Sequence, residues 1–209
     1  MVSGRARRRS LIHLAGAAAL SALVPGRAAA AARPASLSQD DLARLGRGEL
    51  VSVPLDLDLP EGDYFGGISY ALIHAPVAEV AAVLADPGAY RAILPMTLEA
   101  RVLSRRGQDA QVYFRQGGRL GSVAYVLIVR RESQGLFRFW LDPSHEHEIA
   151  DLWGYLHVHP QGNDASLLTY AALVRLDAGV TKLLFSEKIR QFALRTPALV
   201  RAYVEGRRR

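Results

Sequence analysis

Six residues near the end of the chain, Phe185, Ile189, Phe192, Thr196, Leu199 and Tyr203, recur at steps of three and four. That spacing lines them along one helix face, while Lys188, Arg190, Arg195 and Arg201 fall mostly elsewhere, and it predicts one long amphipathic helix over 181–205. Pro197 has no N–H to give to residue 193, so a kink or break is expected near 194–196. From residue 98 up to that helix the chain reads as strands. Segments 98–103, 110–116, 122–131, 136–141, 150–159 and 167–173 carry apolar or β-branched residues, and turn residues such as Gly117-Gly118, Asp142-Pro143-Ser144 and Gly162-Asn163-Asp164 separate them. Links this short imply antiparallel neighbours.

The first half of the pattern mixes both periods. Ser38 offers a cap, Gln39, Asp40 and Asp41 suit a first helical turn, and Gly46 ends a short helix. Residues 49–59 nearly alternate as a strand, which Pro54 assigns to a sheet edge, and 61–67 reads as a glycine-rich turn. A strand over 68–73 precedes two short helices, one from Pro76 to Asp86 and one over 87–94 that Pro95 stops. An amphipathic helix after a series of strands packs its stripe on their sheet. The expected fold class is therefore α+β: an antiparallel sheet of about seven strands wrapped around a long C-terminal helix, with two short helices after the first core strand.

Composition changes this picture mainly at the N-terminus. The 209 residues suit one domain with a tail, and half are apolar. The net charge of +6 points first to nucleic acid, but Arg5, Arg7, Arg8, Arg9 and Arg27 lie in the first thirty residues, and without them the balance is 6 − 5 = +1. No basic patch remains apart from Arg207, Arg208 and Arg209, so no nucleic-acid partner is expected. Residues 1–32 have the layout of an export signal: a basic start, an apolar run over 11–24, and an alanine-rich exit after Arg27. The run falls short of the roughly 20 residues of a membrane span, although an uncleaved anchor stays open as the alternative. Arg8-Arg9-Ser10-Leu11-Ile12 resembles the twin-arginine signature, which implies passage of the folded chain through that export machinery to a periplasmic or other extracytoplasmic site. Residues 33–47 are then a linker and short helix, and 48–206 the fold proper. The absence of cysteine excludes disulfides, thiol nucleophiles and thiolate metal sites.

The element order, with HAPVAEVAAVLADPGAYRAILP at 74–95, GYLHVHPQGNDASLLTY at 154–170 and the terminal helix, resembles the START-like superfamily. This is the helix-grip or SRPBCC fold of polyketide cyclases, dehydrases and lipid-transfer proteins. Ala75-Pro76, the Asp86-Pro87 and Tyr90 group, Pro95 and Thr169-Tyr170 carry the likeness, and they mark a fold rather than a reaction. The resemblance implies an apolar cavity between sheet and C-terminal helix for a lipid, sterol, isoprenoid or polyketide-like compound. It leads to an exported, cofactor-free binding or carrier protein as the expected function. A cyclase, dehydratase or isomerase using an acid–base residue in the cavity is the alternative, and a module whose own side chains fill the cavity is a third.

Candidate contacts for such a ligand are the strand aromatics Tyr113, Tyr125, Trp140, Trp153 and Tyr155, with Arg115 as a polar anchor and Phe185, Ile189 and Phe192 from the helix. Plain core packing would use the same residues. For acid–base work the candidates are Asp151, His147, Arg115 and Tyr155, since one buried group suffices for an enolisation or dehydration. His145, His147, His157 and His159 form two H-x-H pairs whose ligand types suit zinc, but no metal-site spacing joins them and no bound metal is expected. Ser69, Ser122, Ser166 and Ser186 lie in no G-x-S-x-G elbow, and Gly117-Gly118 opens no helix, so neither a hydrolase triad nor a phosphate loop is indicated.

Overall fold

The computed structural model describes residues 37–118, 121–176 and 180–208, without the side chains of 121 and 180–186. The stretch read above as an export signal lies outside the described residues. Met1–Ser38 and Gln39–Arg209 are separate units, and the fold is that of the second.

After helix α1 (Gln39–Gly46) come strands β1 (Val51–Leu59) and β2 (Gly62–Ile73), then helices α2 (Val77–Leu84) and α3 (Pro87–Ile93). Six strands follow: β3 (Thr97–Arg106), β4 (Asp109–Gly118), β5 (Gly121–Arg131), β6 (Leu136–Leu141), β7 (Asp151–Pro160) and β8 (Ser166–Arg175). Helices α4 (Val180–Leu194) and α5 (Thr196–Gly206) close the chain. All eight strands form one antiparallel sheet in the order β1-β2-β8-β7-β6-β5-β4-β3. Pro54 does lie in an edge strand.

The break expected from Pro197 is present, and one boundary differs from the sequence expectation. The long C-terminal helix is two helices meeting at Arg195, with Pro197 in the first turn of α5, where a missing N–H is harmless. The expected turn over 61–67 is strand from Gly62 on, which lengthens β2, and all eight segments read as strands join the one sheet. Glycine there serves close approach: a Cβ on Gly66 would collide with the Ala172 carbonyl of β8, and one on Gly67 would meet Pro54 Cα of β1 at 3.0 Å and Leu194 Cδ2 of α4 at 3.1 Å.

Alternation along the strands gives the sheet two distinct faces. Val112, Phe114, Leu127, Phe139, Leu156 and Leu168 belong to one buried cluster with Val80 and Leu84 of α2, Tyr90 of α3, and Val200 and Val204 of α5. This is the inner, helix-facing side. α4 and α5 pack mainly on β2 and β8, while α3 packs on β3. The end of α5 is fastened to the β2–α2 link, where Glu205 Oε1 accepts from the His74 backbone N–H at 2.9 Å and Arg208 Nη1 donates to the His74 carbonyl at 2.6 Å.

Candidate functional site

The inner face carries a layer of aromatic rings. The Tyr90 ring lies 5.7 Å from that of Phe114, Phe114 stacks on Tyr125 at 5.6 Å, and Phe139 stacks on Tyr170 at 6.1 Å. Each phenol in the layer has its own partner. Tyr90 donates to the Leu84 carbonyl, and Tyr125 donates to Gln116 Oε1 at 2.6 Å, whose Nε2 donates in turn to Thr97 Oγ1 at 3.1 Å. Thr196, at the start of α5, hydrogen-bonds the Tyr170 hydroxyl. Burial pushes the pKa of all three phenols up, so they stay protonated donors over the physiological range. Among the described residues no carboxylate or imidazole hydrogen-bonds any of the three. The protons of Tyr90 and Tyr125 are committed to Leu84 and Gln116, so the Tyr170–Thr196 pair is what is left to orient a ligand oxygen.

The layer is not fully closed. Tyr170 and Leu152 of the inner face and Leu199 of α5 pack against the core cluster yet are only partly buried. Ile189 and Phe192 of α4 are also half-buried. The Phe185 side chain is outside the described residues. At the far end of the inner face, beneath α2 and α3, a half-open cleft of about 210 Å³ is lined by Tyr90, Ala110, Val112, Val129 and Phe137, among others, with Arg105 and Arg131 at its rim. Tyr90 thus borders both the cleft and the aromatic layer.

Of the strand aromatics named from the sequence, Tyr125 joins this layer. Tyr113, Trp140, Trp153 and Tyr155, with Arg115, lie on the opposite face. There Trp140 and Trp153 are direct cross-strand partners, the Arg130 guanidinium sits 5.3 Å above the Trp140 ring, and that of Arg101 sits 5.0 Å above Tyr113. Arg115 is exposed.

The acid–base candidates do not meet. Asp151, also on the outer face, accepts from the Tyr64 hydroxyl and, at 2.8 Å, from the Leu152 N–H. His147 is held in the β6–β7 loop, with Nε2 2.7 Å from the Asp142 carbonyl and Nδ1 accepting from the Val126 N–H at 3.4 Å. In the same loop Ser144, His145 and Asp142 touch one another, but the Nδ1 of His145 makes both contacts, at 3.2 Å each. A nucleophile relay needs the two ring nitrogens to face opposite partners, so this trio is a turn lock and not a triad. Asp142 is 2 % exposed. Its burial alone would raise its pKa, but hydrogen bonds from Ser144 and Gln111 outweigh that and hold it below the usual carboxylate range.

The two histidine pairs stay apart as well. His157 and His159 have ring centroids 3.6 Å apart on the outer face of β7, and among the described residues no group of three or more His, Cys, Asp or Glu is placed to hold a metal ion. Burial, helped by the charge of His159, pushes His157 down from 6.5 to about 4. An unfolded chain takes up that proton near 6.5, whereas the folded one resists until about 4. The contribution of His157 is therefore complete above pH 6.5 and is lost as the pH falls towards 4. Urea midpoints measured across this window are expected to decline, and His157→Leu to flatten the decline; an identical slope in the variant refutes the assignment.

The residues that sequence reasoning passed over as site candidates are Tyr90, Gln116, Tyr170 and Thr196. Tyr90 and Tyr170 had stood out only as markers of the fold. The cross-strand register was the missing signal, because it alone shows that Tyr170 shares a face with Phe139 and α5.

No family model and no curated protein matches the chain. Solved structures do. A STAR-related lipid transfer protein from Xanthomonas axonopodis is 14% identical over 75% of this chain and 93% of its own, with a TM-score of 0.63. The Zhui aromatase/cyclase from Streptomyces sp. R1128 is 14% identical over 77% of this chain and 97% of its own, at 0.55. A START superfamily protein from Mycobacterium smegmatis is 17% identical over 67% and 94%, at 0.54. At these identities the likeness is one of fold, and that fold is the START-type helix grip.

Proposed function

We propose that the protein binds a hydrophobic small molecule of lipid, sterol, isoprenoid or polyketide-like character between its sheet and C-terminal helices, and carries it outside the cytoplasm. The observation that supports this best is the partial exposure of Tyr170 and Leu152 on the inner face and of Leu199 on α5, all packed against the core. Tyr125, Ile189 and Phe192 are the contacts from the sequence analysis that suit this space. Burial of an apolar ligand there contributes about 25 cal/mol per Å² removed from water, while Tyr170 and Thr196 fix one oxygen of the ligand. The lipid-transfer and aromatase/cyclase neighbours point to the same ligand class. Export rests on residues 1–32, and the ligand gate on the break at Arg195.

Tyr170, kept protonated by burial, also favours a second reading, in which it polarises a carbonyl in a cyclase or dehydratase. Carriage is preferred because no carboxylate or imidazole hydrogen-bonds Tyr170 among the described residues.

The test is mass spectrometry of an organic extract of native protein purified from the extracytoplasmic fraction. An apolar compound near one per chain is expected, and Tyr170→Trp, which fills the space, is expected to lower its yield about tenfold while keeping the thermal midpoint. Repeated preparations that carry no apolar compound remove the support for this function.

A further inference from the structure

The cleft beneath α2 and α3 has a chemistry of its own. Across the inner face Arg105 of β3 is the register partner of Ala110, and Ala110 is the partner of Val129. Arg131 of β5 is the partner of Phe137. Ala110, Val129 and Phe137 are inner-face residues, so both arginines, themselves exposed, project on the helix side, at a cleft that also takes in Gln108 and Asp109. The neighbouring carboxylates are held by other arginines. Arg130 grips both oxygens of Asp109, at 2.7 and 2.8 Å, and Arg138 reaches Glu132 at 3.2 Å. Arg131 donates its Nε to the Ser133 carbonyl at 3.3 Å and lies with its guanidinium 5.8 Å above the Phe137 ring. That pose leaves its terminal nitrogens without a carboxylate, and Arg105 has no ion-pair partner among the described residues.

We propose that this cleft binds the anionic head of an amphiphile, a carboxylate or a phosphate monoester, with the attached chain lying on Val112, Val129 and Phe137 and pointing towards Tyr90. The guanidinium fork matches two oxygens of either head group, which an ammonium does not do. Size decides how much of the ligand enters. A cleft of about 210 Å³ is smaller than the roughly 300–1,000 Å³ that encloses a whole drug-sized molecule, so it takes one end and leaves the rest to the aromatic layer beyond Tyr90. The inference rests on the apolar-ligand reading above and narrows it from hydrophobic molecules in general to acidic ones.

Isothermal titration calorimetry with decanoate, decyl phosphate and 1-decanol separates the two claims. Either acid is expected to bind about tenfold more tightly than the alcohol, and the preferred acid identifies the head. Raising sodium chloride from low to high concentration is expected to weaken the acids and leave decanol unchanged. R105Q/R131Q is expected to bring acid and alcohol to the same affinity. Because Arg131 also holds the Ser133 carbonyl, R105Q alone is the safer variant and is expected to remove about half of the preference on a logarithmic scale. Arg101→Gln, on the outer face, keeps it. Equal binding of acid and alcohol by the unaltered protein, or an acid preference that survives R105Q/R131Q, overturns the anionic head while leaving the apolar-ligand function standing. Failure of all three probes to bind overturns both.

Discussion

Gly154→Val is expected to leave the protein unfolded at neutral pH, and Gly154→Ala to lower its unfolding free energy by about 3 kcal/mol or more, at the upper end of overpacking penalties. Gly154 sits in the middle of β7 on the inner face, opposite Phe139 of β6 and Ala172 of β8. A Cβ there would collide with the Ala171 carbonyl oxygen and stand 2.6 Å from Phe139 Cζ. Neither obstacle is a loose side-chain end. The carbonyl belongs to a paired strand, and the Phe139 ring is stacked on Tyr170. The sheet must part or the aromatic layer must tilt, and either disturbs the proposed ligand space. Gly46, at the end of α1, has nothing within 4 Å of its would-be Cβ. Gly46→Ala therefore serves as the control and is expected to hold or slightly raise stability. Urea titrations followed by far-ultraviolet circular dichroism measure both, and a wild-type midpoint for Gly154→Val refutes the collision.

Tyr90→Ala is expected to lose about 3–4 kcal/mol, as for other buried aromatic truncations. The residue is 9 % exposed, its ring packs on Phe114, and its hydroxyl ties α3 back to the end of α2. Tyr90→Phe separates these roles. It keeps the ring and removes one buried hydrogen bond, so a loss of only about 1 kcal/mol is expected. If the two variants are equally unstable, the hydroxyl tie and not ring packing dominates, and this division fails. The alanine variant also widens the way from the cleft to the aromatic layer, so at permissive temperature longer acids are expected to gain affinity over decanoate.

Element order and type were legible because the strand segments are rich in apolar or β-branched residues between short turns, and Pro54, Pro76, Asp86-Pro87 and Pro95 punctuate the first half. The break at 194–196 followed from Pro197 alone. Facing was harder. In β5, Val123, Tyr125 and Leu127 alternate with Ala124, Val126 and Ile128, so nothing in the strand itself says which row looks inward. Its neighbours do say so. Arg138 on β6 and Gln111 with Arg115 on β4 mark the outer rows, and through them Trp140 and Tyr113 go outward while Phe139 and Phe114 go inward. The aromatic that can leave a polar tip in water took the outer row, and the one with no polar atom took the inner. Gly66 and Gly67 were misleading for a different reason. A turn and a close strand crossing both ask for glycine, and only the partner strand distinguishes them.

The position of β8 has a consequence for how the chain assembles. β8 is the last strand made, yet it lies between β2 and β7. Until it emerges, the β1–β2 hairpin and the β3–β7 meander have no strand to join them, and each shows a bare edge. Closing the sheet then brings together segments such as Ile68 and Ala171, about 100 residues apart, at a loop-closure penalty that local hairpins do not meet. Folding is expected to be slow and to finish at this one step, with α4 and α5 docking only afterwards. Chains cut short before Ser166 are the species most open to edge-to-edge aggregation.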